Sequence, residues 1–239
     1  MTNLATDANA LVLPISGKTG TFGGNSWNGN LCCCWVSTDG AFPADSDYVA
    51  DLVARVIAAG WPVDPKRIFG VGDSAGEGVL FRSACDHSTT WSGIAGFAGA
   101  GGVTTGGAGT DPACTPATPV HLLHAHGTSD ISQESWTGNN GANNGMTNLC
   151  NAAIDTGGTY DQYRAFNGCG AFATTTASWR NLDNTAAGTE TDLLEATGCP
   201  AGGSVTQWRM NGTTHTLTTT AGGNFEVELI AWMNSHPKP

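Results

Sequence analysis

The chain has 239 residues, of which 40% are hydrophobic, and 20 acidic against 9 basic side chains give it a formal net charge of −11. This length fits one α/β domain with a substantial core, so we expect a single domain over residues 1–239. The negative charge excludes nucleic acid and anionic membrane surfaces as expected partners. No apolar run approaches the roughly 20 residues that cross a bilayer, which excludes a membrane span.

Eight cysteines indicate an oxidising compartment. They are scattered without the paired C-x-x-C spacing of a zinc site, and this favours disulfides over metal ligation. With few lysines and many Thr, Gly and Asn residues, this pattern is typical of a secreted enzyme. The segment from Met1 to Leu4 has neither the basic region nor the apolar core of a signal peptide, so we expect the export signal to be missing from this chain.

Hydrophobic periodicity predicts strands that alternate with helices. The clearest helix, at 43–59, has an apolar stripe through Val49 and Val53 and is closed by Gly60. Alternation of this kind predicts a mainly parallel sheet covered by helices on both faces, with long loops at 99–109 and 138–158. The remaining predicted elements are a strand at 9–14, a loop at 17–30, a strand at 67–71, a helix at 75–85, strands at 94–98, 120–125 and 205–210, and a helix at 225–235.

The segment from Gly72 to Gly76 reads G-D-S-A-G and matches the pattern G-x-S-x-G. It follows the apolar strand at 67–71 and precedes the helix at 75–85, which is the context of the nucleophile elbow of serine hydrolases. The chemistry needs a serine on a sharp strand-to-helix turn, and the small flanking glycines let the backbone bend. We therefore predict Ser74 as a nucleophile.

A serine hydroxyl needs a histidine to accept its proton and a carboxylate to orient that histidine. The predicted strand at 120–125 runs into H-G-T-S-D at 126–130, so Asp130 lies just past the carboxyl end of a parallel strand, where α/β sheets assemble their sites. We predict Asp130 as the acid. Weaker alternatives are the aspartates that no predicted strand delivers, namely Asp155, Asp161 and Asp183.

Only two histidines follow Asp130 in the chain. His236 lies three residues from the C-terminus, on or beyond the last predicted helix. His215 follows the strand at 205–210 through a short polar loop that can hold a general base in place. We therefore predict His215 as the base of the triad.

His121, His124 and His126 form a cluster that raises the question of a metal site. On a strand, His124 and His126 share one face while His121 points to the other, so the three cannot converge on one ion without a bulge. We expect no metal here, and no organic cofactor. The cluster instead predicts a buried, hydrogen-bonded strand end that positions the Asp130 loop.

Further motifs run along almost the whole chain. They are Trp27-Asn28 followed by Cys33-Cys34, V-D-P-K-R-I at 63–68, Phe81-Arg82 followed by Cys85, H-G-T-x-D at 126–130, and N-G-C at 167–169 followed by Cys199. Together these motifs resemble the family of secreted poly(3-hydroxybutyrate) depolymerases and feruloyl esterases.

The resemblance implies an α/β-hydrolase fold and a serine ester hydrolase that works through an acyl-enzyme. It carries over Ser74, Asp130 and His215 as the triad, and it implies a disulfide between Cys169 and Cys199. We further expect Cys85 to pair with one of the three adjacent cysteines Cys32, Cys33 and Cys34. The remaining expected pair is then Cys114 with Cys150.

The sequence also departs from this family. G-D-S-A-G is closer to the hormone-sensitive-lipase-like esterases, although their H-G-G motif is absent. Residues 4–14 resemble the family's short helix and following strand, so we expect the usual first strands and the H-G oxyanion loop to lie upstream of Met1. The amide of Ala75 is then one expected oxyanion donor. Gly17 is a second, provided that the strand at 9–14 packs beside the nucleophile strand.

The substrate is an ester whose class the motifs leave open: a polyester, an aryl ester or a feruloylated polysaccharide. Exposed tryptophans are candidate binding residues, and Trp27, Trp136 and Trp208 are the ones to consider, against the alternative that they lie in the core. A second reading is a catalytically impaired remnant or binding protein that lacks a complete oxyanion hole. The expected truncation favours that reading, whereas the three intact triad residues disfavour it.

Overall fold

We describe the chain from a computed structural model, which defines residues 9–19, 25–29, 44–99, 114–131, 159–219 and 224–239. None of the helices in these ranges is both long enough and apolar enough to span a membrane. In chain order the elements are β1 (Lys18–Thr19), β2 (Asn25–Ser26), α1 (Asp45–Ala58), β3 (Phe69–Asp73), α2 (Ala75–Asp86), β4 (Gly93–Phe97), β5 (His121–Gly127), α3 (Thr159–Asn167), β6 (Phe172–Arg180), β7 (Thr191–Ala196), β8 (Val205–Met210) and α4 (Asn224–Ser235).

A six-stranded sheet in the order β3-β4-β5-β8-β7-β6 organises the described residues. The strands β3, β4, β5 and β8 are parallel, and β7 and β6 extend the sheet antiparallel. The register pairs Asp73 with Phe97, Phe97 with Ala125, and Gly127 with Met210. The parallel strands therefore end together at one edge of the sheet, and no described strand precedes β3 in it.

Alternating side chains of the sheet feed two hydrophobic cores, one on each face. Ile94 and Leu122 face the core formed with α1, α2 and α3. Their neighbours Ala95 and Leu123 face the opposite core, where Leu229 and other side chains of α4 pack. Helices thus cover both faces of the sheet, as the sequence predicts.

Most elements of the parallel half match the prediction to within two residues at each end. The helix expected at 43–59 is α1, in which Val49 is buried and Val53 packs against the core. Gly60 ends it with a φ of +83° and donates its N–H to the carbonyl of Ile57 at 2.9 Å. That φ favours glycine, which explains why the helix stops there.

The strand predicted at 9–14 is wrong, because residues 10–17 form no regular element and the first strand is the two-residue β1. The side chains of Leu11 and Leu13 are exposed, so this apolar run has no partner strand to pack it. The sequence prediction also missed α3, β6 and β7. Two predicted loops lie outside the described residues, at 138–158 and, beyond Gly99, at 99–109.

Two disulfides join described cysteines. Cys169 pairs with Cys199, which confirms the bond implied by the family resemblance. Cys85 pairs with Cys114, so the expected pairs of Cys85 with Cys33 or a neighbour, and of Cys114 with Cys150, are wrong. Both Cys85 and Cys114 are buried in the core on the α2 face, which brings them together. Cys32, Cys33, Cys34 and Cys150 lie outside the described residues.

Breaking the Cys169–Cys199 bond tests its contribution to stability. We expect the double variant Cys169→Ser/Cys199→Ser to lose about 2–5 kcal/mol of unfolding free energy, because the bond limits the unfolded chain. Denaturant unfolding measures this loss. Non-reducing peptide mapping should recover Cys85 linked to Cys114, and a peptide linking Cys85 to residues 32–34 would contradict the structure.

Candidate active site

Ser74 lies on the tight turn between β3 and α2. Its backbone has φ +50° and ψ −119°, a conformation that non-glycine residues rarely adopt and that costs about 1–3 kcal/mol. The turn is held because the N–H of Ser74 donates to the carbonyl of Phe97 at 2.8 Å. The Ser74 carbonyl in turn accepts from the amides of Glu77 and Gly78. This geometry is that of the predicted nucleophile elbow.

The two glycines of the elbow have different roles. A Cβ on Gly72 would collide with the backbone of Gly76 and Glu77, because α2 folds back directly over the end of β3. A Cβ on Gly76 would meet no atom of the described residues within 4 Å. The close approach of strand and helix therefore requires glycine at 72, whereas position 76 has room.

The loops after β5 and β8 carry Asp130 and His215 and lie against each other. The N–H of Ser129 donates to the carbonyl of Thr213 at 3.0 Å, and the N–H of Gly212 donates to Oγ1 of Thr128 at 2.9 Å. A Cβ on Gly127 would collide with the Thr213 carbonyl. The small residue at 127 lets the two loops meet.

Ser74, His215 and Asp130 form a continuous hydrogen-bonded row. Nε2 of His215 lies 3.0 Å from Oγ of Ser74, and Nδ1 lies 2.9 Å from Oδ2 of Asp130. Asp130 is buried, while the His215 side chain is 36% exposed. The structure thus brings together the three residues predicted from the sequence, across 141 residues of chain between serine and histidine.

Asp73, immediately before the serine, adds a second carboxylate near His215. Its side chain reaches solvent. Partial desolvation raises the pKa of Asp73, and the positive charge of protonated His215 acts in the opposite direction. Because this attraction is mutual, an ionised Asp73 favours the protonated form of His215.

A buried polar cluster lies behind the acid. His124 and His126 share one face of β5, as predicted, and Nε2 of His124 lies 3.2 Å from Nδ1 of His126. Glu77 of α2 lies 2.8 Å from Nδ1 of His124. The sequence analysis foresaw the buried strand end but missed Glu77, whose only signal is an acidic residue on the core-facing side of a helix.

The third histidine of the predicted cluster lies apart from the other two. His121 points to the opposite face of β5, where its ring packs against His236 beyond α4. His236 is therefore placed away from the triad, in agreement with the choice of His215. In the part of the chain that the structure describes, no three His, Cys, Asp or Glu side chains are arranged to hold a metal ion.

The remaining site predictions fare differently. Gly17 packs against Ser26 and the Trp27 ring, and no described strand flanks β3 on its outer side, so the strand that would have aligned Gly17 with the elbow is absent. Trp27 stacks on Tyr48 of α1 and packs against the core. Trp208, considered as an exposed aromatic, is instead buried. Trp136 lies outside the described residues.

Comparison with known proteins adds two solved structures and nothing from sequence. No protein-family model matches the chain, and no curated protein does. The crystal structure of a variant of Arabidopsis thaliana SOBER1 is 14% identical, covers 98% of this chain and 91% of its own, and has a TM-score of 0.52. An acetyl xylan esterase from Aspergillus awamori is 13% identical, covers 90% and 74%, and has a TM-score of 0.51. The chain has an α/β-hydrolase fold.

At these identities the likeness extends to the fold alone. Within the α/β-hydrolase fold, the described sheet of this chain begins with the nucleophile strand β3, in agreement with the expectation that the usual first strands are lacking from it.

Alanine at the two elbow glycines separates their roles. We expect Gly72→Ala to lower the unfolding free energy by about 1–3 kcal/mol, since the added methyl group forces β3 and α2 apart. Gly76→Ala should be neutral or stabilising by up to about 1 kcal/mol, because alanine is the better helix former. Equal losses of stability in thermal unfolding would contradict the geometry of this turn.

Proposed function

We propose that this protein is a serine ester hydrolase with a single catalytic domain and the triad Ser74, His215 and Asp130. The observation that carries the proposal is the position of His215, whose two ring nitrogens lie within hydrogen-bond distance of the serine hydroxyl and of the buried carboxylate. A strained, positive-φ serine at the start of a helix supports it, because such strain persists where the surrounding structure holds the residue for function.

In the proposed mechanism, His215 accepts the Ser74 proton at Nε2 while Oγ attacks the carbonyl carbon of the ester. Asp130 accepts the Nδ1–H of His215, which fixes the tautomer that leaves Nε2 free to accept a proton, and it stabilises the imidazolium that forms. His215 then protonates the departing alcohol. A water molecule, deprotonated by His215, releases the acid from the acyl-enzyme and restores Ser74.

The oxyanion of the tetrahedral intermediate needs donors beside the serine. The first amides of a helix have no acceptor within that helix, and the amide of Ala75 opens α2 next to Ser74. We propose the Ala75 amide as one donor, aided by the positive end of the helix dipole. Gly17 is not retained, since the strand that would have brought it to this place is absent.

The substrate class follows from weaker support. The motif resemblance favours a polyester, an aryl ester or a feruloylated polysaccharide, and one structural neighbour is an acetyl xylan esterase by name. Two disulfides in the described chain are consistent with an oxidising environment, so we propose that the enzyme is secreted.

Covalent labelling tests the function directly. A fluorophosphonate probe should label Ser74, and Ser74→Ala should abolish both labelling and hydrolysis of a p-nitrophenyl ester without unfolding the protein. The matched control is Ser129→Ala, an exposed serine beside Asp130. Its labelling and turnover should stay at the wild-type level. A wild-type protein that is folded but unlabelled would instead favour the impaired remnant.

The charge of Asp73 predicts a change in the pH profile. The rate kcat/KM should fall at acidic pH, because His215 must be neutral to accept the serine proton. Replacing Asp73 by Asn removes a negative charge that favours the protonated imidazole, so the acid limb should move to lower pH by about half a unit. Asp51→Asn, an exposed aspartate paired with Arg55, should leave the limb unmoved. A shift to higher pH would contradict the assignment.

A further inference from the structure

The triad does not end at Asp130, because a row of buried polar groups continues behind it. Nε2 of His126 lies 3.2 Å from Oδ2 of Asp130, the same oxygen that His215 contacts. His124 and Glu77 follow at 3.2 and 2.8 Å. The far oxygen of Glu77 accepts the N–H of Gly99 at 2.6 Å. Four side chains with almost no exposure thus join the acid of the triad to the helix of the nucleophile.

The order of donors along this row follows from the chemistry of neutral imidazole, which has one donor and one acceptor nitrogen. Asp130, as a carboxylate, only accepts, so His126 presents Nε2–H to it and keeps Nδ1 as an acceptor. His124 then presents Nε2–H to His126 and needs a donor at its own Nδ1. Only a proton on Glu77 supplies that donor.

A second arrangement has the same number of protons, with Glu77 ionised and one of the two imidazoles positively charged. It would separate two charges in a space without solvent, and burial acts against both. Burial raises the pKa of Glu77 well above its usual range. It also lowers the pKa of His124 to about 3 and lowers that of His126, against the opposing effect of Asp130.

The backbone makes room for a buried glutamic acid. A Cβ on Gly96 or on Gly99 would collide with the Glu77 side chain, so two glycines on or just after β4 form its space. The Phe81 ring packs against His124 with ring centroids 5.8 Å apart. This space explains how an acidic side chain occupies the core-facing side of α2.

The other titratable groups near the row come from three directions. Asp73 lies at the elbow and acts on Glu77. His215 faces Asp130 from the loop after β8. On β8 itself, neutral Gln207 is in register with His124, and Arg209 is in register with His126 but pairs with Asp192 of β7 at 2.6 Å.

We propose that Glu77, His124 and His126 form a hydrogen-bond relay that positions Asp130, with Glu77 as a neutral carboxylic acid at the far end and every donor directed toward the triad. We call these three residues the relay. They are positioning residues, since none of them contacts Ser74. The second donor on Oδ2 holds the carboxylate in the rotation that His215 needs, and it withdraws charge from that oxygen. This role rests on the triad proposed above.

Kinetics of His126 variants test the positioning role. His126→Leu removes the donor to Asp130 and should lower kcat about ten- to a hundredfold, as expected for a lost hydrogen bond to a charged group, with KM nearly unchanged. The acid limb of kcat/KM should move to higher pH, because the carboxylate regains charge density. His126→Gln keeps an N–H near the position of Nε2 and should restore much of kcat.

His121→Leu is the matched control for the kinetic test. It changes a buried histidine on the same strand but on the opposite face, so it should lower stability without lowering kcat. Wild-type kcat in His126→Leu, or an equal loss in His121→Leu, would overturn the positioning role.

The pH dependence of stability tests the neutral Glu77 without any substrate. A group whose pKa is raised on folding stabilises most below its unfolded pKa, and that stability is lost as pH rises. Glutamine has no proton to lose, yet it donates to His124 and accepts from Gly99. The Tm of Glu77→Gln relative to wild type should therefore increase from pH 5 to pH 8. Glu228→Gln, which breaks an ion pair with Arg180, should not show this increase.

NMR of the imidazole nitrogens gives the donor order directly. We expect neutral rings protonated at Nε2 for both His124 and His126 from pH 5 to pH 8. A constant destabilisation in Glu77→Gln, or a doubly protonated ring at neutral pH, would overturn the relay as proposed. Failure of the hydrolase proposal is seen separately, as an unlabelled Ser74, and the Tm and NMR measurements decide the relay in either case.

Discussion

Four parallel strands that end together at one edge of the sheet are the constraint on which the rest of this molecule depends. Their register places the turn after β3 and the loops after β5 and β8 within reach of one another. Each loop contributes one residue of the candidate triad, so no loop has to be long or to cross the sheet. Hydrogen bonds between the loops after β5 and β8 then hold the acid and the base at a fixed separation.

The same sheet determines what lies beneath the site. Alternation along β5 sends Leu123 and Ala125 to one core and His124 and His126 to the other, where α2 begins. The helix that starts at the nucleophile therefore contacts the acid through the interior as well as at the surface. The proposed relay is a consequence of this packing, since Glu77 comes one helical turn after Ser74 and returns toward the strand that delivers Asp130.

Local signals in the sequence predicted the parallel half of the fold and the three candidate triad residues. Short apolar runs bounded by turn residues mark β3, β4, β5 and β8, and the elbow pattern marks Ser74. The antiparallel strands β6 and β7 were missed, because their side chains lack the continuous apolar character of strands buried on both faces. Features that depend on distant segments were missed too: Cys85 meets Cys114 only through the packing of α2, and the space for Glu77 comes from glycines near β4.

The long separation in sequence between site residues has a consequence for folding. Ser74 and His215 are 141 residues apart, and Asp130 and His215 are 85 apart, so their contacts form only after large loops have closed. By contrast, the Cys169–Cys199 bond spans 30 residues and encloses the β6–β7 hairpin, which keeps that part of the chain compact even before the sheet is complete. During oxidative refolding, ellipticity from the helices and the hairpin should thus recover ahead of catalytic competence. Activity then reports the last assembly step, the arrival of β8 beside β5.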